Sequence, residues 1–195
     1  MANDITKLLP FRQYSENDVI NMFSYDGGEV GAGLVVKITS ADLNDESVQY
    51  GEGGFLNTIG NASSMYASVP HKVQLANSGD AALGILLRDV REEDENGEKI
   101  RFYPEKKAEL QCVASGEAVP VATKGLFTFV DDAFAGGTIP APMTNLSVRD
   151  GGLLAEAGVG EAVVGMVLAT GSRETQGEGS TDPFEGDYAF VKVEL

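Results

Sequence analysis

The chain has 195 residues, with 30 acidic against 14 basic side chains, a formal charge of −16, one cysteine and no tryptophan. A surface of that charge repels phosphate backbones, which argues against nucleic acid as a partner, and a lone Cys112 allows neither an internal disulfide nor a cysteine-based zinc site. No apolar run reaches the roughly 20 residues of a membrane-spanning helix, and Met1-Ala2-Asn3-Asp4 does not open like a secretory signal, so no membrane partner is expected.

Residues 1–17 predict an extended N-terminal arm. Ile5, Leu8, Leu9, Phe11 and Tyr14 are apolar, but Pro10 pushes Leu9 towards extended geometry and forbids a continuous helix. Residues 18–195 then predict a single β domain, because 24 glycines and seven prolines are spread along the chain and break every candidate helix. Val19–Tyr25 and Leu34–Ile38 predict a hairpin across a glycine-rich connection. Ala41–Ala67 reads as a long loop with short strands, and Lys72–Leu75 as a strand. Gly84–Val90 and Lys99–Tyr103 predict a hairpin around an acidic tip, with Asn96-Gly97 suited to a type I′ turn. Ala108–Val113 reads as a strand in which Cys112 alternates in phase with buried Leu110. Ala118–Ala122, Leu126–Val130, Leu146–Val148, Leu153–Leu154, Val163–Thr170 and Tyr188–Val193 complete the strands, with Asp150-Gly151-Gly152 as a turn and Gly171–Gly186 as an exposed loop. Short strands at this spacing predict an all-β fold, a small β-barrel or a jelly-roll-like sandwich with long loops.

One element recurs. Gly79-Asp80-Ala81-Ala82-Leu83-Gly84-Ile85-Leu86-Leu87 resembles Gly160-Glu161-Ala162-Val163-Val164-Gly165-Met166-Val167-Leu168, and Gly116-Glu117-Ala118-Val119-Pro120-Val121 is a shorter version. The Gly-acid pair predicts a turn, and the inner glycine a bulge or a close approach of another backbone.

The residues predict no catalytic, cofactor or metal site. His71, the single histidine, follows Pro70 with no serine in a nucleophile elbow to serve. Gly31-Ala32-Gly33 lacks the third glycine of a dinucleotide loop. Glu92, Asp94 and Asn96 match the first ligands of a calcium loop ending at Gly97, but Tyr103 stands where the closing glutamate is needed. The expectation is a structural or binding protein and not an enzyme.

The N-terminal arm, the Gly-Asp-Ala-x-x-Gly-Ile-Leu-Leu element, Gly116–Val121 followed by Lys124-Gly125-Leu126-Phe127, and the ending Glu161–Gly171 with Asp187-Tyr188-Ala189-Phe190-Val191-Lys192-Val193 resemble tailed-bacteriophage head decoration, or cement, proteins. The resemblance implies a small barrel or jelly roll on the outer capsid surface of the virion, clustered as a homodimer or homotrimer. Its partner would be the major capsid protein, whose neighbouring subunits it clamps to stabilise the head, often through an N-terminal arm. On that footing Ile5, Leu8, Leu9, Pro10, Phe11 and Tyr14 are the expected attachment residues, the alternative being an arm folded back on its own barrel. A phage tail or baseplate subunit shares the same profile. A host-surface carbohydrate-binding module would use exposed aromatics, for which Tyr50, Phe55, Tyr66 and Phe184 are the candidates.

Overall fold

In the computed structural model, which describes residues 5–41, 71–173 and 186–195, almost every apolar run is a strand. These are β1 (Leu8–Gln13), β2 (Val19–Tyr25), β3 (Val35–Ser40), β4 (Lys72–Leu75), β5 (Gly84–Leu86), β6 (Val90–Arg91), β7 (Val113–Ala114), β8 (Ala118–Ala122), β9 (Lys124–Val130), β10 (Asn145–Arg149), β11 (Leu153–Glu156), β12 (Gly165–Arg173) and β13 (Gly186–Glu194). A single short helix, α1 (Pro104–Glu109), stands among the described residues. The fold is all-β. Strands β2-β4-β3-β5-β8 close into a barrel, β1-β9-β13-β12-β10-β11 form a six-stranded sheet, and β6-β7 a small parallel pair.

The barrel and the sheet are two copies of one topology. Strands β2, β3, β4, β5 and β8 correspond in chain order and in neighbours to β9, β10, β11, β12 and β13. The registers agree residue by residue. Val36 pairs with Gly84 and with Leu75, as Leu146 pairs with Gly165 and with Glu156. Ile38 faces Val73 as Val148 faces Leu154. The first copy closes through a parallel contact of β2 with β4 at Tyr25 and Val73. The second repeats it as a single parallel bridge from Phe134 to Leu154. The recurring Gly-acid element is therefore the sequence trace of a duplicated five-stranded unit.

The two copies share a wall. Side chains alternate faces along a strand, and here both faces are buried. Val36, Leu86, Val119 and Val121 point into the barrel with Phe23 and Val73. Their neighbours Val35, Ile85, Leu87 and Ala122 pack into a second core with Phe127, Phe129, Leu146, Val167 and Val191. That is why Ile85-Leu86-Leu87 is apolar without alternation. Each such side chain contributes about 1.5–3 kcal/mol when fully buried.

The three Gly-acid elements form one kind of turn. Gly79, Gly116 and Gly160 have φ of 84, 85 and 84°, the left-handed conformation a type II turn requires at its third position. The following acid closes each turn through its N–H: Asp80 to Asn77 O at 3.0 Å, Glu117 to Ala114 O at 3.0 Å, and Glu161 to Gly158 O at 3.2 Å. Its carboxylate accepts the N–H of that same residue, at 2.8, 3.0 and 2.8 Å. Each carboxylate also meets a cation, Lys37 at 2.7 Å, Lys107 at 2.8 Å or Arg149 at 2.9 Å. The expected role of the inner glycine holds in both long copies. A Cβ on Gly84 would lie 2.4 Å from Ala122 O, and one on Gly165 2.5 Å from Lys192 O.

Four local expectations are corrected. β2 and β3 do not pair as a hairpin, because β4 is interposed between them in the barrel. Further along that connection, residues 31 and 32 serve another contact. Lys7 N–H donates to Ala32 O at 2.7 Å, and a Cβ on Gly31 would lie 1.7 Å from Ile5 O. The acidic tip is not a type I′ turn, since of Asn96 and Gly97 only Gly97 has positive φ. Asp94 Oδ1 instead accepts the N–H groups of Asn96 and Glu98, both at 2.8 Å, and Ile100–Phe102 is a 3₁₀ turn where a strand was expected. Ala108–Val113 is not a strand either. The helix α1 starts at Pro104, a favoured first position, and ends in a Schellman motif. Cys112 N–H donates to Lys107 O and Gln111 N–H to Ala108 O, both at 3.2 Å, with Gln111 at φ 50° where glycine is usual. Finally, Gly171–Arg173 belong to β12 and Gly186 to β13; the rest of that expected loop, and all but Ala41 of Ala41–Ala67, lie outside the described residues.

Two measurements test this account. Gly84→Ala and Gly165→Ala should each cost about 1–3 kcal/mol in urea denaturation by forcing backbone apart. Gly79→Ala, with nothing within 4 Å of the new Cβ, should cost only the conformational penalty of about 1 kcal/mol. The second concerns Glu161, whose carboxyl is held at about 2, below its ordinary 4.5, by the Ser147 hydroxyl, the Gly158 N–H and Arg149. A depressed carboxyl stabilises the fold above the unfolded value and loses that contribution as pH falls through the folded one. Between about pH 4.5 and 2, the melting temperature of Glu161→Gln should therefore fall less steeply than that of the native chain.

Candidate functional site

Over residues 8–13 the expected N-terminal arm is the edge strand of its own six-stranded sheet, and Glu16–Asp18 form a 3₁₀ turn; residues 1–4 lie outside the described ones. β1 pairs antiparallel with β9, Leu8 opposite Phe129 and Arg12 opposite Phe127, with an irregularity between these pairs that accommodates Pro10. Proline lacks the donor a regular ladder needs, so an edge strand at a bulge is where it is tolerated. The expected attachment residues separate into two groups. Leu8 and Leu9 are 1% and 7% exposed and belong to the chain's own interior, and Ile5 is half-buried. Pro10 is exposed, as are Phe11 at 62% and Tyr14 at 44%. Phe11 leans on Phe190 of β13 with ring centres 5.5 Å apart, and Tyr14 stacks on Phe127 at 5.8 Å. The outward part of β1 is thus a short aromatic ridge, while its inward part anchors the strand.

Beside β1 lies a groove of about 1390 Å³. β1 forms one wall, the outer face of β2 and β8 (Val19, Asn21, Ala118, Pro120) the floor, and residues between Arg88 and Val113 the other wall. Three arginines line it. Arg12 donates through Nη1 to Leu87 O at 2.8 Å and through Nε to Leu9 O at 3.2 Å. Burial holds its guanidinium below the ordinary value; nearby Tyr14 and Asp89 oppose that shift and Arg88 adds to it. Arg91 Nη2 meets Asp89 Oδ2 at 3.0 Å, and Asp89 Oδ1 accepts the N–H of Ala32 at 2.7 Å. Arg91 Nε is buried and finds no acceptor among the described residues. Arg12 is distant in sequence from Arg88 and Arg91, and the three belong to no motif. The signal that could have drawn attention is that an acidic chain holds only six arginines, two of them three positions apart at Arg88 and Arg91.

The other residues considered for chemistry stand apart. His71 immediately precedes β4, half-buried and edge-on to Phe23 at 6.4 Å, and its carbonyl accepts the N–H of Ser24 at 2.8 Å. Cys112 is 1% exposed, and burial pushes its thiol up, away from a reactive thiolate. At the acidic tip Lys99 Nζ lies 2.7 Å from Glu93 and 3.8 Å from Glu92, and Lys106 Nζ lies 3.1 Å from Glu95. Among the described residues no group of three His, Cys, Asp or Glu is placed to hold a metal ion, and no helix is long and apolar enough to cross a membrane. Tyr50, Phe55, Tyr66 and Phe184 lie outside the described residues.

The division of β1 has a direct test. Leu8→Ala should cost about 2–5 kcal/mol in urea denaturation, as a cavity in the shared core. Phe11→Ser, on the outside, should cost less than about 1 kcal/mol. Compared with protein-family models, with curated proteins and with solved structures, the chain matches none of them.

Proposed function

We propose that this protein is a tailed-bacteriophage capsid decoration protein, a structural and non-catalytic component that binds the outer surface of the major capsid lattice and stabilises the head. The observation that carries the reading is the aromatic ridge of Phe11 and Tyr14, 62% and 44% exposed on an edge strand whose other side is anchored by Leu8 and Leu9. Burying each aromatic against a neighbour is worth about 1.5–3 kcal/mol, and a rigid strand loses little entropy on docking. The charge supports the same reading. Copies carrying −16 each repel one another when crowded on a lattice, whereas apolar contact at the ridge is left in place by moderate salt. The likeness of the N-terminal segment, the Gly-acid elements and the closing strand to decoration proteins adds to it.

Deleting the N-terminal segment would remove Leu8 and Leu9 from the core and confuse attachment with unfolding. The cleaner variant is Phe11→Asp with Tyr14→Ser. In co-sedimentation with purified heads of the phage that encodes the chain, it should bind at least about tenfold more weakly than the native protein, with a melting temperature changed by less than about 4 °C. Undiminished binding would refute the ridge as the attachment surface. Electron microscopy that found the protein confined to the tail would refute decoration itself.

A further inference from the structure

Among the described residues, two parts of the chain stand outside the duplicated unit. One is β1. The other is 87–117, which leaves the barrel after β5, carries β6, α1 and β7, and returns at β8; the corresponding connection between β12 and β13 is only 174–185. The groove lies between these two additions, over the outer wall of the barrel. Binding surfaces are commonly grafted onto a scaffold in this way.

The charges in the groove are incompletely matched. Arg12, Arg88 and Arg91 line it, and so do Glu16, Asp89 and Glu109. Asp89 is 7% exposed, with one oxygen taken by Ala32 N–H and the other by Arg91. Glu16 and Glu109 are exposed to solvent, and Lys106 lies 3.9 Å from Glu109. Arg12 is held by two carbonyls. That leaves Arg88, exposed and without a partner among the described residues, and the buried Nε of Arg91 without an acceptor. A carboxylate satisfies an exposed guanidinium better than any neutral group, whereas the Nε of Arg91 is too enclosed for a ligand to reach and only the exposed part of that side chain faces the groove.

We infer that this groove binds an extended peptide segment of a partner chain, through a carboxylate seated on Arg88 and Arg91. The segment would lie along β1, whose six residues span about 20 Å. β1 ends its sheet and has no strand partner on its second edge among the described residues; with Leu9 O held by Arg12 and Pro10 lacking a donor, backbone pairing with such a segment would run through the residues after Pro10. Pro10, Tyr14 and Pro120 supply apolar contact along the groove. A single carboxylate on an otherwise uncharged segment suits the site, because a polyanion would meet the repulsion of the whole −16 surface. The inference holds whether or not the partner is a capsid protein.

Fluorescence anisotropy with the full chain tests it, using three labelled peptides: amidated Gly-Ser-Val-Asp-Val-Ser-Gly, the same peptide with Asn in place of Asp, and the Asn peptide with a free C-terminal carboxylate. At least one carboxylate peptide should bind about tenfold or more tightly than the amidated Asn peptide, and which of the two binds better tells a side-chain from a terminal carboxylate. Binding should weaken between about 50 and 500 mM salt. It should also weaken about tenfold in Arg88→Gln, an exposed position whose change leaves the melting temperature unaltered, and should be retained in Phe11→Asp. No binding of any peptide at about 1 mM, equal binding of all three, or normal binding by Arg88→Gln would overturn the inference. Displacement of the peptide by sulfate at concentrations near the peptide's own dissociation constant would overturn its assignment to a peptide.

Discussion

The wall shared by the two five-stranded units is the constraint on which the rest of this structure depends. Val35 and Val36, Ile85 and Leu86, and Val121 and Ala122 are adjacent residues that enter different cores. A one-residue slip in β3, β5 or β8 would exchange their faces, so a single register sets the packing of both halves. The wall tolerates little side-chain volume where backbone must approach it. The turn joining β10 to β11 docks there through Gly152, which accepts the N–H of Val35 at 2.9 Å and donates to Ala76 O at 2.8 Å. A Cβ on Gly152 would lie 2.5 Å from Val35 O. The second unit is fixed to the first by hydrogen bonds as well as by apolar burial.

Duplication explains both the economy and the asymmetry of the molecule. Equivalent positions carry equivalent work: Val73 and Leu154, Leu86 and Val167, and Val121 and Val191 are all buried. The copies differ in what has been added. β1 runs along the edge of β9, while the corresponding edge of β2 meets β4 at its C-terminal end. The segment 87–117 enlarges the first unit beside the groove. A repeated scaffold supplies rigidity, and the unrepeated segments supply individuality, which is why both the aromatic ridge and the groove arise there.

The acidic composition divides in the same way. Asp80, Glu117 and Glu161 are structural, each clasping its own turn and meeting a cation. Acids of the tip around Asp94 are paired with lysines or turned onto backbone N–H groups. The excess negative charge that remains makes copies of the chain repel one another.

By itself the sequence determined the all-β class, the position of most strands and the turn chemistry of the Gly-acid elements. Those follow from local rules: β-branched and aromatic runs favour extended chain, and glycine accepts positive φ without steric cost. The closing strand, with Ala189, Val191 and Val193 inward, was legible because a half-buried strand alternates. Legibility failed where tertiary contacts outweighed local preference. The glycine-rich connection after β2 looked like a hairpin turn, yet its Gly31 and Gly33 are sites of close contact with residues 5–8. The end of α1 was hidden because Gln111 occupies the left-handed position that glycine usually marks. Only the folded chain decided that Leu8 and Leu9 turn inward while Phe11 and Tyr14 turn out. Only the folded chain brought Arg12 to Arg88 and Arg91, since nothing local links β1 to the segment 87–117. Spacing along a chain records its local conformation, whereas a binding site is a meeting of distant segments, and that meeting is set by the wall between the two cores.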